Sequence, residues 1–179
     1  SLTATKKIYN DSISITKEQL QEFSILYLII NNFDFFKKNN IILNDINFLV
    51  AVGGFSNSYV LGSAKGWAGS FLYNEKAKRS LENFYNRKDT LSLGVCNGCQ
   101  LFIELGLLHP HDELKPKMEF NESNKFECVF TSVKIKENNS VMFKNFSDSE
   151  LGIWSAHGEG RFNLPLDEKN YNIIGKYSK

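Results

Sequence analysis

The sequence has little cysteine, little proline and no long apolar run. Its 3 cysteines are too few, and odd in number, for a disulfide framework, which predicts a reducing compartment, the cytoplasm. With 3 prolines and 42% hydrophobic residues, the composition is that of a folded protein rather than a disordered one. No apolar run approaches the roughly 18 residues that a membrane-spanning helix needs. We therefore expect a globular protein without a membrane partner.

The charge of the chain has no dominant sign. Lysine and arginine together number 21 against 20 aspartates and glutamates, a net charge of +1. Proteins that bind a phosphate backbone carry a clear excess of positive charge, so this balance argues against nucleic acid as a partner. A length of 179 residues allows one domain with a buried core. The start Ser-Leu-Thr-Ala, without an initiator methionine, indicates part of a longer chain.

Helical and strand patterns alternate along the first hundred residues. Thr16 and Gln19 form a capping-box pattern ahead of apolar residues at mostly helical spacing, and an alternation at residues 12–15 allows an edge strand. The predicted helices span residues 17–36, 67–87 and 97–107. The predicted strands span residues 47–52, 91–95, 126–135, 140–143 and 152–156.

This order of elements predicts an α/β fold, a mainly parallel sheet flanked by helices, with an added β-rich segment. Ligands of such folds bind beyond the carboxyl ends of the strands. Gly53 and Gly54 follow one predicted strand, and Cys96 follows another. Both turns therefore fall where a site is expected.

Cys96 stands directly after a buried strand and directly before a helix, which predicts a sharp elbow. The positive end of the helix favours the thiolate form of such a cysteine. The backbone N–H of Asn97 could stabilise the oxyanion that forms when a thiolate attacks a carbonyl. If the strand before Gly53 and Gly54 lies beside that of Cys96, their turn is a second source of N–H groups.

Other interpretations of the cysteines remain open. Cys96 and Cys99 form a C-x-x-C pattern, but a zinc site needs four ligands and no second ligand pair follows. A thioredoxin-like redox pair on a flavodoxin-like scaffold is another candidate, since its attacking cysteine also begins a helix. Burial is the simplest role for Cys99, and a core position is the simplest role for Cys128.

His157 and Glu159 could complete a Cys-His-Glu triad with Cys96. Two residues apart on a strand, however, their side chains point to the same face and not necessarily at each other. The glycines around them suit a loop that lines a substrate site, which is the interpretation we favour. His109 and His111 have no partner pattern and are expected at the surface.

Four blocks in the same order resemble the glutamine amidotransferase domain of phosphoribosylformylglycinamidine synthases, in the long single-chain form. They are residues 53–56 (GGFS), 60–69 (VLGSAKGWAG), 94–100 (GVCNGCQ) and 156–161 (AHGEGR). A lone G-x-C-x-G-x-Q would indicate only a class I glutamine amidotransferase, whereas the four blocks together indicate the purine enzyme. The resemblance makes residues 1–179 a single such domain, at the carboxyl-terminal end of a larger synthetase.

The resemblance implies a reaction and a set of roles. Cys96 would attack the side-chain amide of glutamine, release ammonia, and form a thioester that water hydrolyses. The family pattern implies that Gly53, Gly54 and Asn97 stabilise the oxyanion. It also implies that Gln100, His157 and Gly158 bind glutamine. No metal or cofactor is implied in this domain. ATP and magnesium would act in the synthetase domain, which uses the ammonia for de novo purine synthesis.

The chain departs from the family pattern in three places. The family carries its catalytic histidine and glutamate in a downstream His-x-Glu motif, which we expect beyond Lys179, so the chain alone is expected to be a weak or inactive glutaminase. Tyr59 stands where the family has an acidic residue, and residues 1–46 match poorly. These departures motivate the alternative of an inactive domain that binds glutamine or docks on a synthetase.

Overall fold

A computed structural model describes residues 25–28, 43–53, 63–108 and 113–178. The chain divides into two compact units, Ser1–Leu108 and His109–Lys179. Several sequence predictions concern residues outside the described ranges, namely the edge strand at 12–15, His109 and His111. Across the described ranges, none of the helices has the length and apolarity required to cross a membrane. The prediction of a single amidotransferase domain is not tested by the division into units and stays a prediction.

The first unit is an α/β unit with a parallel sheet. Its strands are β1 (Ile25–Leu28), β2 (Phe48–Ala51) and β3 (Leu91–Gly94), and its helices are α1 (Ser63–Leu72), α2 (Glu75–Asn86) and α3 (Asn97–Glu104). The sheet has the order β1-β2-β3, and both strand pairs are parallel. Because β2 is central, it is hydrogen-bonded on both edges. The predicted α/β fold with a parallel sheet followed by a β-rich part is confirmed at this level.

The core of the first unit lies where α1 and α3 meet β2. Leu49 and Ala51 of β2 are fully buried, and Leu101 of α3 is buried against them. Trp67 and Ala68 of α1 belong to the same cluster. The last two residues of the KGWA sequence are therefore core residues, and they hold α1 against the sheet that carries the cysteine turn.

Two helix predictions in the first unit are wrong. Residues 25–28 lie within the helix predicted over 17–36 but form β1, paired with β2 from Ile25↔Phe48 to Leu28↔Ala51. A short, continuous apolar run is compatible with either a helix or a strand. Here it forms a strand because it pairs with the buried strand β2. The helix predicted over 67–87 is two helices, because Asn74 begins a new one: its side-chain oxygen accepts from the amides of Lys76 and Ala77.

The second unit is built from short antiparallel strands. They are β4 (Lys117–Glu119), β5 (Glu127–Ile135), β6 (Glu150–His157), β7 (Arg161–Asn163) and β8 (Gly175–Tyr177). β6, β5 and β8 form one sheet in that order, and β4 pairs with β7. The predicted strands at 126–135 and 152–156 are confirmed.

Two further predictions in the second unit are wrong. Residues 140–143 form a turn that leads into a short 3-10 helix, Lys144–Phe146, because the Ser140 hydroxyl accepts hydrogen bonds from the amides of Met142 and Phe143. Cys128, predicted in a core, is exposed on β5. It lies on the sheet face that also carries Phe130 and Trp154, and that face is exposed. Alternation along a strand identifies two faces without showing which of them is covered.

Candidate active site

Cys96 occupies a strained turn between β3 and α3. Its backbone angles are φ 54° and ψ −116°, in a region that residues other than glycine rarely adopt. Among the described residues, only Asn124 and Asp148 share a positive φ outside glycine, and both are types that tolerate it. Strain of this kind costs about 1–3 kcal/mol and is concentrated at functional sites. The backbone therefore singles out Cys96 independently of any motif.

The geometry of this turn explains the strain at Cys96. The Gly98 amide donates a hydrogen bond of 2.9 Å to the Val95 carbonyl and closes a four-residue turn with Cys96 at its second position. The angles of Cys96 are close to those of the second residue in a type II′ turn, about +60° and −120°. The amide of Cys99 then donates to the Cys96 carbonyl at 3.0 Å, which begins the helix. The chain thus reverses from strand to helix within one residue.

Two glycines allow α3 to pack closely against the sheet. A Cβ placed at Gly98 would lie 1.9 Å from the carbonyl oxygen of Ala51, well inside any real contact. A Cβ at Gly94 would lie 2.9 Å from the carbonyl oxygen of Gly98. The Val95 amide donates to the Ala51 carbonyl at 2.9 Å, so the same residue of β2 also holds the segment before Cys96. These contacts hold the elbow in place.

Gly53 lies directly beside the cysteine. A Cβ at this position would be 2.8 Å from Cβ of Cys96 and 3.5 Å from its sulfur. The strand before Gly53 lies beside the strand before Cys96, as a second source of N–H groups requires: β2 and β3 are neighbours, with Ala51 opposite Gly94. Gly54, the other residue predicted there, lies outside the described residues, as does Tyr59.

The other residues predicted near the cysteine lie on α3. Asn97 is the first residue of the helix and is buried, with 4% of its surface exposed. Gln100 is half-buried one turn into the helix, and its amide donates to the Cys96 carbonyl at 3.3 Å. The structure therefore brings Gly53, Asn97 and Gln100 to the turn that carries Cys96. Their roles in the chemistry stay predictions.

The two cysteines of the C-x-x-C pattern differ in environment. Cys96 is exposed, whereas Cys99 is partly buried. Burial raises the pKa of the Cys99 thiol, and a negative charge on Cys96 raises it further. Both effects favour the neutral thiol form of Cys99 over its thiolate. Within the ranges that the structure describes, no group of three or more His, Cys, Asp or Glu side chains could hold a metal ion.

His157 and Gly158 lie in the second unit, at the end of β6. Nδ1 of His157 lies 2.7 Å from Oδ1 of Asn121. Nδ2 of Asn121 donates to the His157 carbonyl at 2.8 Å, and its backbone amide donates to the Gly158 carbonyl at 2.9 Å. Asn121 is one of two buried polar residues in the described part of the chain, with 5% of its surface exposed.

A triad of His157 and Glu159 would need the carboxylate to orient the imidazole. The ring nitrogen that such a carboxylate would contact is occupied by the amide oxygen of Asn121. The interpretation of the segment as a substrate-lining loop stays a prediction. Sequence analysis missed Asn121, because the composition of a polar loop does not separate a buried asparagine from an exposed one. The turn-forming sequence of residues 121–124 (NESN) indicates a turn there but not the burial of its first residue.

Comparison with known proteins gives consistent results. The pattern of the CobB/CobQ-like glutamine amidotransferase domain matches residues 18–177, across both units and including β1. An Arabidopsis thaliana protein named "Probable phosphoribosylformylglycinamidine synthase, chloroplastic/mitochondrial" is 48% identical over 132 residues, which are 70% of this chain and 9% of that protein. The phosphoribosylformylglycinamidine synthase of Dictyostelium discoideum is 45% identical over 115 residues, 62% of this chain and 8% of that protein.

The chain therefore spans less than a tenth of the length of these relatives. A solved structure is also similar, a chain in the structure of PurLQS from Thermotoga maritima. The likeness has a TM-score of 0.60 at 27% identity and covers 87% of this chain and 73% of that one. Because the family pattern matches residues 18–177, almost the whole chain, the chain belongs to the CobB/CobQ-like glutamine amidotransferase domain family.

Proposed function

We propose that this chain is the glutaminase part of a phosphoribosylformylglycinamidine synthase, with Cys96 as its nucleophile. The observation that carries the proposal is the strained elbow, which presents an exposed cysteine at the carboxyl end of β3 beside Gly53. The Cys96 sulfur attacks the side-chain carbonyl carbon of glutamine. Ammonia leaves as the glutamyl thioester forms, and water then hydrolyses the thioester to glutamate and restores the thiol.

The charge that develops on the amide oxygen needs donors aimed at it. We assign this role to the backbone N–H groups of Gly53, Gly54 and Asn97. The close packing of Gly53 against Cys96, which leaves no room for a Cβ, supports it, as does the position of Asn97 at the positive end of α3. Gln100, His157 and Gly158 are proposed to bind glutamine.

The use of the ammonia belongs to the larger reaction. Both relatives described above carry the name of the synthase, and each is more than ten times as long as its matched segment. We propose that a synthetase domain, in the same or an associated chain, uses the ammonia to convert formylglycinamide ribonucleotide to the amidine. ATP and magnesium would be held by that domain.

Two finer features belong to the same proposal. The parallel order β1-β2-β3 with helices supports a flavodoxin-like sheet of the class I amidotransferase type. The three free cysteines are compatible with a reducing compartment. The name of the plant relative points to plastids or mitochondria for that protein, so the cytoplasm stays a prediction for this chain.

The test compares two nitrogen sources in the protein together with its synthetase. Cys96→Ala should abolish amidine formation from glutamine and leave formation from added ammonia intact, because only the release of ammonia needs the thiol. Cys128→Ala is the matched control, since this cysteine is exposed on β5, and it should retain both activities. If Cys96→Ala retains the glutamine-dependent activity, Cys96 is not the nucleophile.

A second measurement separates the active enzyme from an inactive binding domain. An electrophilic glutamine analogue should label Cys96 and leave Cys99 and Cys128 unmodified. The raised pKa of Cys99 gives a built-in reference for an unreactive thiol. Equal labelling of Cys96 and Cys99 would favour the inactive domain.

A further inference from the structure

The side chain of Asn121 has only one orientation that satisfies its neighbours. Nδ2 donates to the carbonyls of Lys125 and His157, at 3.0 Å and 2.8 Å. Rotating the amide by half a turn would place its oxygen against these two carbonyl oxygens, without a hydrogen between them. Oδ1 must therefore face Nδ1 of His157, at 2.7 Å.

This orientation determines the tautomer of His157. An amide oxygen only accepts hydrogen bonds, so the proton of this contact belongs to Nδ1 of the imidazole. In the neutral ring, Nε2 then carries a lone pair and acts as an acceptor. Across the described ranges of the chain, no hydrogen bond occupies Nε2 of His157.

The ring of His157 is also held by a close contact with the backbone. A Cβ at Gly160 would lie 2.4 Å from both Cγ and Nδ1 of the imidazole and 2.7 Å from Cε1. The ring therefore lies against a glycine that leaves room for it. Asn121 and Gly160 together leave the ring one position, with Nδ1 towards Asn121.

We propose that Asn121 is a positioning residue of the glutamine site. Its side-chain oxygen holds His157 in the Nδ1–H form, so that Nε2 accepts a hydrogen bond from an N–H group of glutamine, which carries such donors on its α-ammonium and its carboxamide. The part that concerns glutamine rests on the proposed function, because it takes His157 as a substrate residue. The part that concerns the tautomer rests only on the geometry of the second unit.

The first experiment observes the tautomer in the full chain. Nitrogen-15 NMR of histidine-labelled chain distinguishes Nδ1–H from Nε2–H, and His157→Gln identifies the signals of this ring. The parent chain should show Nδ1–H. Asn121→Ala should lose this preference. An Asn121→Ala chain that keeps the Nδ1–H form would overturn the proposal.

A matched control excludes a general loss of loop structure. Asn138 makes a similar set of bonds in the same unit: its Nδ2 donates to the Lys136 and Phe143 carbonyls, and its Oδ1 accepts from the Ser140 amide. It makes no hydrogen bond to His157 in the described structure. Asn138→Ala should therefore leave the His157 spectrum unchanged.

The second experiment measures binding of L-glutamine by calorimetry in the Cys96→Ala protein together with its synthetase, where no thioester can form. Asn121→Ala should raise the Kd about tenfold or more, which is the size expected for losing a hydrogen bond to a charged or strongly polar group. Asn138→Ala should bind as the parent does. Equal Kd values for Asn121→Ala and Asn138→Ala would overturn the role of Nε2.

The two experiments fail in different ways. If the Cys96→Ala protein with its synthetase binds no glutamine, the proposed function is overturned and the role of Nε2 with it, whatever the spectra show. If glutamine binds and Asn121→Ala leaves both tautomer and Kd unchanged, the proposed function stands and the role of Asn121 is overturned.

Discussion

Gly98→Ala tests whether close packing against β2 builds the cysteine elbow. The new Cβ would lie 1.9 Å from the carbonyl oxygen of Ala51 and 2.4 Å from its carbonyl carbon. These are backbone atoms of a central strand, paired with β1 on one side and β3 on the other, so neither can move alone. The helix must shift instead.

The expected loss follows from two opposing contributions. Forcing a methyl group into a well-packed core costs about 1–3 kcal/mol, and more where backbone is displaced. Replacing glycine by alanine inside a helix returns about 0.5–1 kcal/mol. We expect a net loss of about 2 kcal/mol in the free energy of unfolding, measured by urea denaturation.

Gly69→Ala is the matched control. This glycine also lies inside a helix, α1, but its Cβ would meet only the ring of Tyr73 at 3.5 Å, an ordinary contact. It should gain about 0.5–1 kcal/mol. Alkylation of Cys96 should slow in Gly98→Ala and stay unchanged in Gly69→Ala. If both variants are equally stable and equally reactive, close packing at Gly98 does not build the elbow.

Two further predictions concern the first unit. Asn74→Ala should lower the free energy of unfolding by about 1 kcal/mol, because it removes the cap that begins α2; Asn86→Ala, exposed at the other end of α2, should change it little in the same urea experiment. Stability should also fall as pH rises above the ordinary thiol range, about 8.5, because burial raises the pKa of Cys99. The folded state then keeps a proton that the unfolded state has lost. Thermal unfolding between pH 8 and 10 should show a steeper decline for the parent than for Cys99→Ala, and parallel declines would contradict this assignment.

Local patterns were enough to predict the elbow. The turn around Cys96 is determined by its neighbours in sequence. A short apolar strand precedes the cysteine, a helix follows it, and a glycine stands on each side of it. The contact with Gly53 needed only one further assumption, that β2 lies beside β3. Such features are predictable because they depend on few residues.

Features that depend on distant partners could not be predicted. The apolar run at residues 25–28 is compatible with helix and strand, and its pairing with β2 decides between them. The burial of Asn121 depends on carbonyl groups of His157 and Gly158, more than thirty residues later. The exposure of Cys128 depends on which sheet face is covered, and period-two alternation is the same for both faces.

The backbone angles of Cys96 imply a conflict between the reactivity of its thiol and the stability of the fold. Glycine adopts such angles without strain, so Cys96→Gly would remove the backbone strain that the surrounding contacts now offset. A selection for thermostability alone would therefore enrich this substitution and remove the thiol in the same step. Stabilised versions of this chain should accordingly be screened for labelling of Cys96 as well as for melting temperature.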